Sequence, residues 1–279
     1  MQLAASSIAR CFRAAKPLRL HQCDVMSLFK KPRMISTNSV MRDEFAKHAD
    51  YLNEFNDKRE KVIKASRDVT INSKKVIFQV HRVRKDNSEE VLSKAERDLA
   101  SVTSQYMSKL VEELQGTDFW KLRHAYTFAV QEYVEAATFC RFCREGTILD
   151  LKEINTTLHS LGDSHHKPLQ ISTIDYLLGL ADLTGELMRL AISKISEREV
   201  EYAKRICRFV QNIYRELTLL APIMDDSSEM KKKLEVMLQS VTKIENACFN
   251  VHVRGSEFIP LLGENDDQFP YMGLPYLDS

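Results

Sequence analysis

Apolar residues recur every seven positions through the first part of the chain: Phe55, Val62, Val69, Val76 and Val83. Leu52, Ile63, Ile77 and Val80 widen that stripe, so the pattern predicts one helix from Asp43 to about Lys85. Some 40 helical residues would extend about 60 Å, which suits a bundle with extended neighbours or a large assembly. Asn87 with Glu90 reads as a capping box that opens a second helix to about Leu114, with Gly116 beyond its end. Thr117 and Asp118 start a third helix to about Arg144, closed by Gly146. Asp150 with Glu153 opens a short fourth helix to about Ser160, and residues 161–171 read as a loop. Ser172 with Asp175 caps a fifth helix to about Ile195. Ser196 with Glu199 caps a sixth, stopped by Pro222. Ser227 or Ser228 starts a seventh, ending near Arg254–Gly255. Seven helices without a strand signal make an all-α fold, a seven-helix bundle with a long N-terminal helix.

Composition strengthens that reading. The 279 residues include only 8 glycines and 7 prolines, and no proline falls between positions 33 and 167. Sandwiches, barrels and nucleotide-binding α/β folds need more turns than that. No apolar run approaches the ~20 residues of a membrane span. The chain divides into a basic extension (1–40), a helical domain (41–257) and an irregular tail (258–279) that holds Pro260, Pro270 and Pro275.

Net charge is +1, but it is unevenly placed. Residues 1–42 carry eight Lys/Arg and one acid, leaving 32 bases against 38 acids elsewhere. A slightly acidic body is a poor stand-alone nucleic-acid binder, because phosphate affinity comes mainly from Lys and Arg. A partner would have to bring the positive surface. The extension, with Arg10, Arg13, Lys16 and Arg19 among small residues, fits either a mitochondrial transit peptide or a plain basic tail. The predicted first helix is flanked by Lys58, Arg59, Lys61, Lys64, Arg67, Lys74, Lys75, Arg82, Arg84 and Lys85, against Glu60 and Asp68. This flank is either a nucleic-acid or partner edge, or a solvated face. The scattered cysteines read as reduced thiols of an intracellular protein. The single Cys140/Cys143 pair lacks the second pair a structural zinc needs.

Two stretches break the helical pattern in the same way. In AYTFAVQEYVEAATFC (125–140) the only charges are Glu132 and Glu135, three residues apart on one face, with no base at i±3 or i±4. In YLLGLADLTGELM (176–188) the only charges are Asp182 and Glu186, four apart, with Gly179 and Gly185 close beside them. Each glycine costs helix stability by about 1 kcal/mol and removes bulk where another backbone or a ligand could approach. If the two helices face each other, four carboxylates converge and must take up protons or bind a cation. All-oxygen ligands suit Mg²⁺, or Mn²⁺. A ferritin-like di-iron site would need Glu-x-x-His, which is absent here. The other reading is that each pair faces solvent or meets Arg and Lys from other helices. An oxygen-only cation site suits phosphodiester hydrolysis, with a remaining carboxylate as general base.

The segments SRDVTINSKKVIFQVHR (66–82), QEYVEA (131–136), DYLLGLADLTGELMR (175–189) and KIENACFNVHVRGSE (243–257) resemble the translin superfamily, in its translin-associated factor X branch. The resemblance implies a seven-helix bundle working in a closed hetero-oligomer with translin. It implies a Mg²⁺-dependent endoribonuclease (Mn²⁺ as a substitute) that cleaves single-stranded RNA, with single-stranded DNA a further ligand. Its substrates would be passenger-strand fragments in RNA silencing and transfer-RNA precursor fragments. Glu132, Glu135, Asp182 and Glu186 match the family's acidic set, which makes this chain the catalytic subunit. Glu135 and Glu186 would be direct metal ligands, and Glu132 and Asp182 would complete the shell or orient water. The family is cytoplasmic and nuclear, whereas the basic extension hints at mitochondria. A non-catalytic scaffold that stabilises translin and assists nucleic-acid binding is the competing role. Asp68, Asp175 and Glu245 read as structural, His81 as a packed or interface histidine, and Phe119 and Trp120 as core or interface anchors.

Overall fold

The computed structural model describes residues 39–160, 168–224 and 228–258. The basic extension up to residue 38, residues 161–167 of the predicted loop, residues 225–227 (with Ser227) and the tail from 259 lie outside the described residues.

Seven helices and no strand are found among the described residues. Helix α1 is Ser39–Val80. Helix α2 runs through Ser88–Ser101, a π-helical turn at Val102–Met107, and Ser108–Leu114. Helices α3 (Arg123–Glu145) and α4 (Leu151–His159) follow. The last three are α5 (Thr173–Ser196), α6 (Val200–Leu220) and α7 (Ser228–Phe258).

The chain divides into two units, residues 1–51 and 52–279. In the first, residues 41–51 form the opening turns of α1 and are exposed throughout. The second is the helical body. There the heptad stripe of α1 is the buried face: Val62, Val69 and Val76 are all at most 1% exposed. Helix α5 is central and packs against α3, α6 and α7. Its mean hydropathy is the reason, since most of its surface is apolar and needs covering.

Several helix ends depart from the pattern reading. Helix α1 ends at Val80, and Arg82, Val83 and Asn87 are tied into turns by backbone bonds to Gln79, Val80 and Arg84. The Asn87 side chain accepts the Arg84 amide at 2.7 Å and does not cap α2. The apolar spacing in α2 jumps by five from Val102 to Met107, and the π turn absorbs the extra residue so that both halves bury one face. Ser196 is the last residue of α5 instead of the cap of α6. Arg198, at φ 64°, makes the sharp turn between them. Helix α7 continues through Gly255 to Phe258. Other ends follow the sequence signals. Asp118 accepts the Trp120 amide to open the turn before α3, Gly146 closes α3 at φ 76°, and Asp150 with Glu153 forms the capping box of α4. The Ser172 hydroxyl accepts the Asp175 amide at the start of α5.

One glycine sets the geometry that matters most. A Cβ on Gly179 would lie 2.9 Å from the Gln131 carbonyl oxygen and from Cβ and Cγ1 of Val134. Those contacts are below any ordinary packing distance, so α3 and α5 can lie this close only because position 179 has no side chain. The helices run in the same direction there, since Thr127 meets Asp175 before Gln131 meets Gly179. Residues from the contact itself to two turns beyond it, Glu132 and Glu135 on α3 and Asp182 and Glu186 on α5, are therefore carried to the same side. Gly185 serves differently: nothing lies within 4 Å of its missing Cβ, and it borders open space.

Candidate functional site

Glu132, Glu135, Asp182 and Glu186 line a single cavity of about 420 Å³. Lys74 of α1 and Lys232 and Lys233 of α7 complete its polar wall. Three of the four carboxylates are each drawn to a separate cation. Glu132 Oε2 lies 3.3 Å from Lys74 Nζ. Asp182 Oδ2 lies 2.5 Å from Lys233 Nζ. Glu186 is held by His81 Nε2 at 2.6 Å and by Arg189, whose Nη1 lies 3.1 Å from its Oε1.

Glu135 is the exception. It is 7% exposed, and among the described residues it makes no hydrogen bond or ion pair. Burial, then the charges of Glu132, Asp182 and Glu186, push its carboxyl up to about 9, with Lys233 pulling the other way. Burial also raises Glu132, against the opposing charge and hydrogen bond of Lys74. Glu186 moves in the other direction: burial would raise it, but the His81 hydrogen bond and the charges of Arg189, His81 and Lys74 bring it below the usual range. The cavity thus holds acids of unequal proton affinity, which is the condition for dividing acid and base roles.

Both sequence readings of the carboxylate pairs hold in part. The pairs share one cavity, and bases from other helices reach into it. As they stand, the carboxylates are spread around the wall: among the described residues no three His, Cys, Asp or Glu side chains meet in a metal-ligating arrangement. They remain the oxygen donors that a cation entering this cavity would find.

The sequence pattern makes His81 a packed or interface histidine, and its ring does lie against Phe139, with centroids 4.9 Å apart. It is also a member of the site through Glu186. Lys74 lies seven residues earlier on the face of α1 that leads to His81, so a heptad reading of polar as well as apolar positions could have found the pair. Lys233 left no such signal, because Lys231, Lys232 and Lys233 are alike in sequence and only the packing of α7 selects among them.

Other candidates fall outside the cavity. Asp175 is buried and fully engaged: Arg123 at 3.0 Å, Thr127 at 2.5 Å, Ser172 at 2.8 Å and Gln131 at 3.3 Å all donate to it. Burial would raise its carboxyl, but the Thr127 and Ser172 hydrogen bonds and Arg123 take it below the usual range. Asp68 faces Lys109 at 3.8 Å, and Glu245 accepts from Gln211 at 2.6 Å, both at the surface. Phe119 packs on the core, while Trp120 is 68% exposed beneath the Arg123 guanidinium. Cys140 and Cys143 are free thiols in the core, both pushed up by burial. On α1, Arg59, Lys61, Lys64 and Arg67 are exposed, whereas Lys58 turns inward to the Gln115 carbonyl. No helix among the described residues is long and apolar enough to cross a membrane.

A family model described as the translin family matches residues 57–255. Translin-associated protein X of Rattus norvegicus is 34% identical over 240 residues, covering 80% of this chain and 82% of its own. Among solved structures, apo-NeC3PO superposes with a TM-score of 0.57 at 20% identity, covering 74% of this chain and 95% of that one. The structure of the AfC3PO–duplex RNA complex matches with a TM-score of 0.52 at 23% identity, covering 76% and 97%.

Proposed function

The chain belongs to the translin family, and on that footing, with the chemistry of the cavity, we propose that it is the catalytic subunit of a Mg²⁺-dependent endoribonuclease. It works with translin and cleaves single-stranded RNA. The observation that carries the reading is Glu135: a carboxyl buried among three others, with no partner of its own. Such a group takes either a proton or a cation. The donor set is entirely oxygen, which fits Mg²⁺ and, second, Mn²⁺. The partner is supported by the name of the rat relative, a translin-associated protein, and RNA by the duplex bound in a protein of the same fold.

A divalent cation bound here would polarise a phosphoryl oxygen and lower the pKa of bound water. Glu135 and Glu186 would hold it, Glu186 with its carboxylate oriented by His81 and Arg189. Glu132, whose proton affinity burial raises, is suited to accept the proton of the attacking water at Oε1, the oxygen away from Lys74. Asp182, beside Lys233, completes the acidic wall. The acidic body itself has little affinity for phosphate, so most of the RNA grip falls to translin.

The test uses the full chain copurified with translin, end-labelled single-stranded RNA, and a Mg²⁺ titration. Glu135→Gln and Asp182→Asn should each lower cleavage by at least about a hundredfold, with RNA binding and assembly retained. Unchanged cleavage after replacing all four acids by alanine would overturn the proposal. If RNA binding instead falls on changing Arg59, Lys61, Lys64 and Arg67 and no variant cleaves, the scaffold role stands.

A further inference from the structure

Lys233 occupies an unusual place for a lysine. It projects from α7 into the acidic cavity and is only 18% exposed. Its ammonium lies 2.5 Å from Asp182 Oδ2, 3.4 Å from Gln131 Oε1 and 3.4 Å from the Leu178 carbonyl oxygen. An ammonium has three N–H donors, and three oxygens of three kinds surround this one. A carboxylate, an amide oxygen and a backbone carbonyl are also the donors that a hard divalent cation prefers. Lys74 makes only one long contact and is half exposed, so it is not held in the same way.

We propose that Lys233 is a built-in counter-cation that exchanges with the divalent ion at Asp182. The inference rests on the metal-dependent reading above. Without metal, the ammonium balances the charge of Asp182, the one carboxylate of the four that it bonds. A divalent ion on Asp182 would repel an ammonium a few ångströms away, so the lysine withdraws from Asp182 when the metal binds. It keeps its charge on a flexible four-carbon stem that lets it move away. Metal affinity in the absence of RNA is therefore held down by Lys233.

The experiment measures Mn²⁺ binding by electron paramagnetic resonance, and thermal unfolding with and without Mn²⁺, on the translin complex without RNA. Lys233→Gln keeps a donor for Gln131 and Leu178 but removes the charge. Lys233→Arg keeps the charge. The glutamine variant should bind Mn²⁺ about tenfold more tightly or better, since a unit charge a few ångströms away is removed. Its metal-free melting temperature should fall and recover on adding Mn²⁺, while the arginine variant stays near wild type in affinity. If wild type binds Mn²⁺ and the glutamine variant binds no more tightly, the exchange is wrong and the metal reading survives. If neither binds Mn²⁺, the metal reading fails and takes the exchange with it.

Discussion

At the start of α5 the buried carboxyl of Asp175 collects hydrogen bonds from Arg123, Thr127, Ser172 and Gln131 and ionises more readily than usual. Two to three turns further along the same pair of helices, Glu135 is equally buried, has no such donors, and holds its proton up to about pH 9. One carboxylate has been built into the fold, and the other has been left with an unmet demand. Burial is the same at both ends, so burial does not separate structure from site. The supply of donors does.

Experiments can press on that contrast. The largest change is expected from Asp175→Ala, which strands Arg123 and two hydroxyls. A loss of about 3 kcal/mol is expected for a broken buried pair, measured by denaturant unfolding. Gly179→Ala comes next. Its methyl has no room beside Gln131 and Val134, so overpacking should cost about 2 kcal/mol, and parting the helices should lower RNA cleavage as well.

Glu135→Gln should act in the opposite direction. A carboxyl that titrates near 9 when folded and near 4.5 when unfolded binds more protons in the native state across that interval. Without metal, stability therefore falls as pH rises from about 4.5 to 9. The glutamine variant should flatten this slope and be the more stable protein at pH 8, as melting curves at several pH values would show. The smallest effect belongs to Lys109→Ala. Its partner Asp68 is half exposed at 3.8 Å, so unfolding should change by less than about 0.5 kcal/mol. A large loss there would mean that exposure, too, fails to rank these acids.

The helical skeleton was legible because it depends on local rules. Valines every seventh residue, Gly146 after α3, and the capping pair Asp150 and Glu153 each act within a few residues of themselves. The acidic pairs were legible for the same reason, as charges on apolar helices without neighbours to balance them. Where two local signals compete, the sequence alone does not choose between them. Asn87 could bond forward to α2 or back to Arg84, and it turned back. Ser196 could cap α6 or finish α5, and Lys194, bonded to Glu197 and Glu199, held the α5 end in place. His81 and Lys233 needed distances across 105 and 51 residues to be seen as part of the site. No spacing rule reaches that far.

Gln131 gives the two ends of this helix pair a common fate. Its amide nitrogen points to Asp175 and its amide oxygen to Lys233, so the group is wedged between an anion and a cation and has one workable orientation. Turned over, it would set oxygen against oxygen on one side and hydrogen against hydrogen on the other. A disturbance of the lysine at the cavity would thus be felt at the anchor of α5 through the rotation of one planar group, without any movement of the main chain.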